Sequence, residues 1–220
     1  MAIRRAASMG TEGSTWQHAG YSGCGNVEGL LGSSTDRPAI IAGNAQGVFQ
    51  EVEQVESMLS GCLIFAVNDV GMFLPRVNHW VSLHADFLPR WMDVRSQHHL
   101  SVPVRLHSCE AKPAIDYAWE GLSPLFALSG YFAMQIAWLM GCRPIILCGC
   151  PGSPAPRFFE AHPRHTSATH MRGFGYGGGL TSQDAGIQRQ LQTEMNRLPN
   201  FKASLRSMSG WTRELFGGLV

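Results

Sequence analysis

Ser129-Gly130-Tyr131-Phe132-Ala133-Met134-Gln135-Ile136-Ala137-Trp138-Leu139-Met140-Gly141-Cys142-Arg143-Pro144-Ile145-Ile146-Leu147-Cys148-Gly149 is the stretch on which the fold turns. Ser129-Gly130 opens a helix running to Gly141. Pro144 to Cys148 is a short apolar run closed by Gly149, which predicts a buried strand. A strand with no polar face, fed by a helix, belongs to a parallel sheet covered on both sides. Upstream the alternation repeats. Ala39-Ile40-Ile41-Ala42 predicts a strand ended by Gly43-Asn44, and Val48, Val52, Val55, Met58 and Leu59 recur at helical spacing. Leu63 to Val67 predicts a second strand ended by Asn68-Asp69, and His79 to Leu83 a third ended by His84-Ala85-Asp86. Phe87 to Gln97 reads as helix and Val102 to Leu106 as a fourth strand. Downstream, Asp184 to Leu198 reads as helix, Phe201 to Leu205 as a last strand and Trp211 to Phe216 as a terminal helical turn. The fold class that follows is α/β: a Rossmann-like, three-layer α/β/α domain with a mostly parallel sheet.

Two segments fall outside this alternation. Residues 1–36 are rich in Gly, Ser and Thr and read as a flexible arm with a short element near Val27 to Leu31. Residues 37–220 read as one Rossmann-like domain, interrupted by a Gly/Pro-rich lid loop near 151–180.

Composition narrows the function classes. Of 220 residues, 45% are hydrophobic and 15% charged, enough for a sizeable core and too apolar for wholesale disorder. A net charge of +1 without a Lys/Arg run gives no nucleic-acid signal. No apolar stretch reaches the roughly 18 residues of a membrane span, and no apolar signal core follows Arg4-Arg5, so a cytoplasmic protein is expected. Of six cysteines, Cys62, Cys142 and Cys148 lie in apolar runs and read as small buried hydrophobes. Cys148-Gly149-Cys150 has one residue between its sulfurs where zinc and redox motifs have two, and no metal site is expected. Trp80, Trp91, Trp119 and Trp138 read as core.

In open parallel sheets ligands bind beyond the carboxyl ends of the strands, where strand order reverses. The residues after each apolar run are therefore the candidates: Gly43-Asn44, Asn68-Asp69, His84 and Asp86, Ser129-Gly130, and Gly149-Cys150. Gly43 lets backbone approach a ligand, and the helix that follows offers free N–H groups to a phosphate. Asn44 and Asn68 can each donate and accept, which suits a base, a ribose or a phosphate ester.

The succession Ile41-Ala42-Gly43-Asn44, Phe65-Ala66-Val67-Asn68, Trp80 to His84, and Ser129 to Ala133 with Gly141 to Gly149 resembles one superfamily. It contains the bacterial CMP-sialic-acid-dependent sialyltransferases and the 6-hydroxymethylpterin pyrophosphokinase-like proteins, with short relatives that include phage proteins. The resemblance covers about residues 38–150 and, more loosely, 184–216. It implies that Gly43, Asn44, Asn68, Ser129 and Gly130 hold a cytidine nucleotide, the donor being a CMP-sugar with no tightly bound cofactor. His84 stands where the transferases carry Asn and the pyrophosphokinase relatives an acid. Two further departures are Cys150, in place of an Asp after the last core strand, and the lack of a tyrosine pair, since Tyr176 alone lies in the lid.

The same transferases draw a base from a mobile segment. Here His162, His165 and His170 lie in the lid with Arg157, Arg164 and Arg172. A histidine with an ordinary pKa near 6.5 suits proton abstraction from an acceptor hydroxyl, and guanidinium groups suit a departing phosphate. The leading expectation is thus a glycosyltransferase-like enzyme. The alternatives are diphosphate transfer from ATP, with Mg²⁺ on Asp69 and Asp86, and a non-catalytic nucleotide-binding accessory protein. The partners expected are a nucleotide or nucleotide-sugar and an acceptor the sequence does not name; homo-oligomerisation is left open. No Gly-x-Gly-x-x-Gly or Gly-Lys-Ser/Thr loop is present, which argues against dinucleotide oxidoreductases and P-loop NTPases.

Overall fold

The computed structural model describes residues 27–100, 105–122, 128–153, 155, 158 and 184–219. Seven strands form one sheet in the order β5-β4-β3-β2-β1-β6-β7, and every neighbouring pair is parallel. The strands are β1 (Ala39–Ala42), β2 (Leu63–Val67), β3 (His79–Val81), β4 (Arg105–Ser108), β5 (Tyr117–Ala118), β6 (Ile145–Cys148) and β7 (Leu205–Ser207). The helices are α1 (Val48–Met58), α2 (Leu88–Gln97), α3 (Ser129–Leu139), α4 (Asp184–Arg197), α5 (Pro199–Ser204) and α6 (Gly210–Phe216).

The layers follow from the period of two along each strand. Ile40, Ala42, Ile64, Ala66, Ile146 and Cys148 point to one face, where Val48, Val52 and Val55 of α1 and Leu88 and Trp91 of α2 cover them. Ala39, Ile41, Phe65, Val67, Ile145 and Leu147 point to the other, under α3 and under Leu191, Met195, Leu198 and Phe201 of α4 and α5. Helix α3 sits against the sheet so completely that Tyr131 through Met140 are all buried. The chain moves outward from β1 through β5, then α3 carries it back to β6 on the opposite flank of β1. Right-handed crossovers in opposite directions put α1 and α2 on one face and α3 on the other. Strand order therefore reverses between β1 and β6.

Some expectations need correction. Phe201 to Leu205 is mostly helix: Pro199 starts α5, where a missing N–H costs nothing, and the strand begins only at Leu205. The fourth strand runs Arg105–Ser108 rather than Val102 to Leu106; residues 101–104 lie outside the described residues. The third ends at Val81. From Val27 on, the expected arm belongs to the domain. Val27 and Leu30 are buried, and the N–H groups of Gly32, Ser34 and Asp36 donate to the carbonyls of Leu139, Met140 and Gly141 that end α3. Residues 1–26 lie outside the described residues. Trp80, Trp91, Trp119 and Trp138 are core, and Cys62, Cys142 and Cys148 are buried.

A polar chain crosses the sheet interior. Trp119 donates its indole N–H to His107 Nδ1 at 3.0 Å, and His107 Nε2 lies 2.9 Å from His79 Nδ1. Indole N–H only donates, so Nδ1 of His107 is the acceptor and Nε2–H must donate to His79. Burial holds both imidazoles neutral: it pushes His79 down to about 3 and His107 well below its ordinary value, with Arg105 adding to both. On the other side of the sheet, fully buried Arg95 donates to the carbonyls of Gly71, Leu74 and Pro75 and ties α2 to the loop after β2.

Candidate functional site

The loops after β1 and β6 meet at the point of reversal. Gly43 lies so close to its neighbour that a Cβ there would stand 2.4 Å from Cys150 Sγ and 2.5 Å from the Gly149 carbonyl. Only glycine admits that approach. Gly149 has φ +62°, and its N–H donates to Glu51 Oε2 of α1 at 2.6 Å, while its carbonyl accepts from Ala45 N at 3.0 Å. These contacts hold the two loops apart by a fixed backbone spacing and open a cavity of about 380 Å³ above them.

Gly43, Asn44, Asn68, His84, Ser129 and Gly130 all line this one cavity. They come from the ends of β1, β2 and β3 and the start of α3, so the six candidate binding residues are brought together. Asn68 adopts φ +56°, a conformation asparagine tolerates better than most residues. Trp80 Nε1 donates to its carbonyl at 2.5 Å, and Ser82 Oγ donates to its Oδ1 at 2.9 Å. With Oδ1 taken, Asn68 offers its NH₂. Ser82 Oγ also accepts the His84 N–H at 2.9 Å, linking the second and third strand ends. Asn44 Oδ1 is buried without a hydrogen-bond partner, and so is the hydroxyl of Tyr131, a residue that shares the cavity wall. Gln135 Oε1 and Trp138 Nε1, further along α3, are likewise unpaired but outside the wall.

The helix end that opens on the cavity is that of α3, not α1. Ser129, Gly130 and Tyr131 line it, whereas Gly47 and Val48 do not, and Glu51 fills the first turn of α1 with negative charge. First-turn N–H groups lack intrahelical partners and carry the positive end of the dipole, so the start of α3 turns partial positive charge toward the cavity. A Cβ on Gly130 would meet nothing within 4 Å, which leaves that end open.

Cys150 lines the cavity where an acid was expected by resemblance. Burial, then Glu51, pushes its thiol up to about 12, so it is neutral. Asp69 and Asp86 do not line the cavity. Asp69 is buried beside β2, and Asp86 is exposed with Lys112 at 3.5 Å. Among the described residues no group of three His, Cys, Asp or Glu is placed to hold a metal. The proposed bases His162, His165 and His170, with Arg157, Arg164 and Arg172, lie outside the described residues. Phe158 N donates to the Asn44 carbonyl at 2.9 Å, and the ring is buried against Phe49 and Phe73. Tyr131, Leu191 and Thr212 are wall residues that sequence reasoning did not single out. Tyr131 alone carried a signal, its place in the first turn of α3.

Among the described residues, no helix is long and apolar enough to cross a membrane. No protein-family model, curated protein or solved structure matches this chain.

Proposed function

We propose that the chain is a transferase using an activated nucleotide donor of CMP-sugar type. The observation that carries this reading is the convergence of Gly43, Asn44, Asn68, His84, Ser129 and Gly130 on one cavity at the β1/β6 reversal. The volume of about 380 Å³ falls in the range of small-molecule sites. Its polar groups are of the kind a nucleotide needs: carboxamides for ribose and base, and the α3 amides for a phosphate. The resemblance to the sialyltransferase and pyrophosphokinase-like superfamily rests on these same residues. In this reading His84 contacts the donor, and one of His162, His165 and His170 takes the proton of the acceptor hydroxyl.

One observation favours a second reading, a nucleotide-binding accessory protein without catalysis. Cys150, neutral in the wall, replaces the carboxylate of the family pattern. Diphosphate transfer with Mg²⁺ is the weaker alternative, because Asp69 and Asp86 do not line the cavity.

The test is a thermal-shift screen with CMP, CDP, UDP, GDP, ATP and S-adenosylmethionine, followed by CMP-sugar turnover. A ligand at a hundred times its Kd adds about 2.7 kcal/mol of stability. Stabilisation by a cytidine nucleotide with CMP release supports the transferase, and stabilisation without release supports the accessory protein. No stabilisation by any nucleotide refutes both.

A further inference from the structure

Tyr131 is 2% exposed, forms part of the cavity wall, and keeps its hydroxyl buried without a hydrogen-bond partner. Phenylalanine would fill the same space without stranding a polar group, so the hydroxyl is a cost to the empty protein. Burial, and after it the Glu194 carboxylate, pushes the phenol above its ordinary pKa, so it stays a neutral group able to donate as well as accept.

The cavity lining is of two kinds. Asn44, Ser129 and Gly130 bring a carboxamide and the start of α3. Tyr131, Met134, Leu147 and Leu191 bring side chains that belong to the apolar core. No Lys or Arg among the described residues lines the cavity. A phosphate against these apolar side chains would lose its water with no cation to replace it, so the anion belongs at the α3 amides. A flat ring suits the apolar side chains, because its faces tolerate them while its edge still needs polar partners.

We propose that Tyr131 is the residue that reads the base: the nucleobase lies against Met134, Leu147 and Leu191, and the Tyr131 hydroxyl pairs with a heteroatom on its edge. This rests on the nucleotide reading above and adds which part of the ligand goes where.

The experiment uses the full chain with CMP, UMP, AMP, GMP and ribose 5-phosphate, each titrated by calorimetry against the wild type, Tyr131→Phe and Leu191→Phe, with melting curves for all three. The wild type should bind its best monophosphate at least tenfold more tightly than ribose 5-phosphate. Tyr131→Phe should melt no lower than wild type yet bind that nucleotide roughly tenfold more weakly, the worth of one buried hydrogen bond. Its affinity for ribose 5-phosphate should not change. Leu191→Phe, which enlarges an apolar side chain of the lining, should weaken the nucleotide and spare ribose 5-phosphate. Equal nucleotide affinity in wild type and Tyr131→Phe overturns the assignment and leaves the nucleotide reading standing. A wild type that binds none of the four monophosphates overturns the nucleotide reading itself.

Discussion

Acidification should unfold this protein through His79 and His107, well before most carboxylates titrate. Both imidazoles are buried and neutral in the fold, 3% and 0% exposed, and His79 is held down to about 3. In the unfolded chain each regains a pKa near 6.5. The unfolded state therefore binds more protons below pH 6.5, and stability falls as pH falls. The full contribution is present above pH 6.5 and erodes through the window down to about 3 for His79. Between pH 7 and pH 5, linkage gives about 2 kcal/mol for each histidine, or about 4 kcal/mol for the pair. With a urea slope of roughly 2–3 kcal/mol/M, the midpoint should drop by about 1.5 M. Urea denaturation followed by tryptophan fluorescence and circular dichroism at half-unit steps reads this directly. Two signs are diagnostic: the slope should be near two protons per molecule around pH 5.5, and it should vanish above pH 7. A midpoint that moves by less than about 0.4 M between pH 7 and pH 5 refutes the neutral buried pair.

Arg95→Leu should destabilise the domain by about 2–4 kcal/mol in the same denaturation assay, because the carbonyls of Gly71, Leu74 and Pro75 lose a charged donor in the interior. Gly43→Ala should cost about 1–3 kcal/mol and abolish nucleotide-dependent thermal shifts, since the new methyl group collides with Cys150 Sγ and the Gly149 carbonyl. Asn44→Ala should leave the melting temperature within the change expected of about ±0.5 kcal/mol, while calorimetry shows weaker nucleotide binding. Trp119→Phe, which removes the donor to His107 Nδ1, should destabilise by about 1–3 kcal/mol through the acceptor left unpaired.

The fold was legible where burial is continuous. Ile40, Ile41, Ile64, Phe65, Ile146 and Leu147 advertise central strands because both faces of the sheet are covered, and α1 and α4 show their period because one side of each meets solvent. Helix α3 was readable by its length between Ser129 and Gly141 rather than by amphipathicity, being buried along its whole course. Strand β5 was not readable: two residues, Tyr117 and Ala118, are too few to show an alternation. Phe201 misled because its apolar ring serves the α3 interface from a helix, beside Tyr131 and Trp138. For the site, strand-end logic located Gly43, Asn44, Asn68 and His84, since their place follows from strand direction alone. Leu191 and Thr212 reach the cavity from α4 and α6, through packing that no local pattern encodes. The His79–His107 pair is hidden for the same reason, as its partners sit on different strands.

The reversal between β1 and β6 also dictates when the cavity can exist. Ala39 pairs with Ile145 and Ala42 with Cys148, so β1 gains its second neighbour only from sequence about a hundred residues further on. During synthesis β1 and β2 can join early, yet β1 keeps one edge bare until β6 emerges, and a bare apolar edge invites pairing with other chains. Closing so long a loop is entropically slow, which makes the β1–β6 junction a late event in folding. A ligand bound at that junction cannot guide the early steps. Bound there, it would act as a latch, slowing the departure of β6 once the sheet is complete.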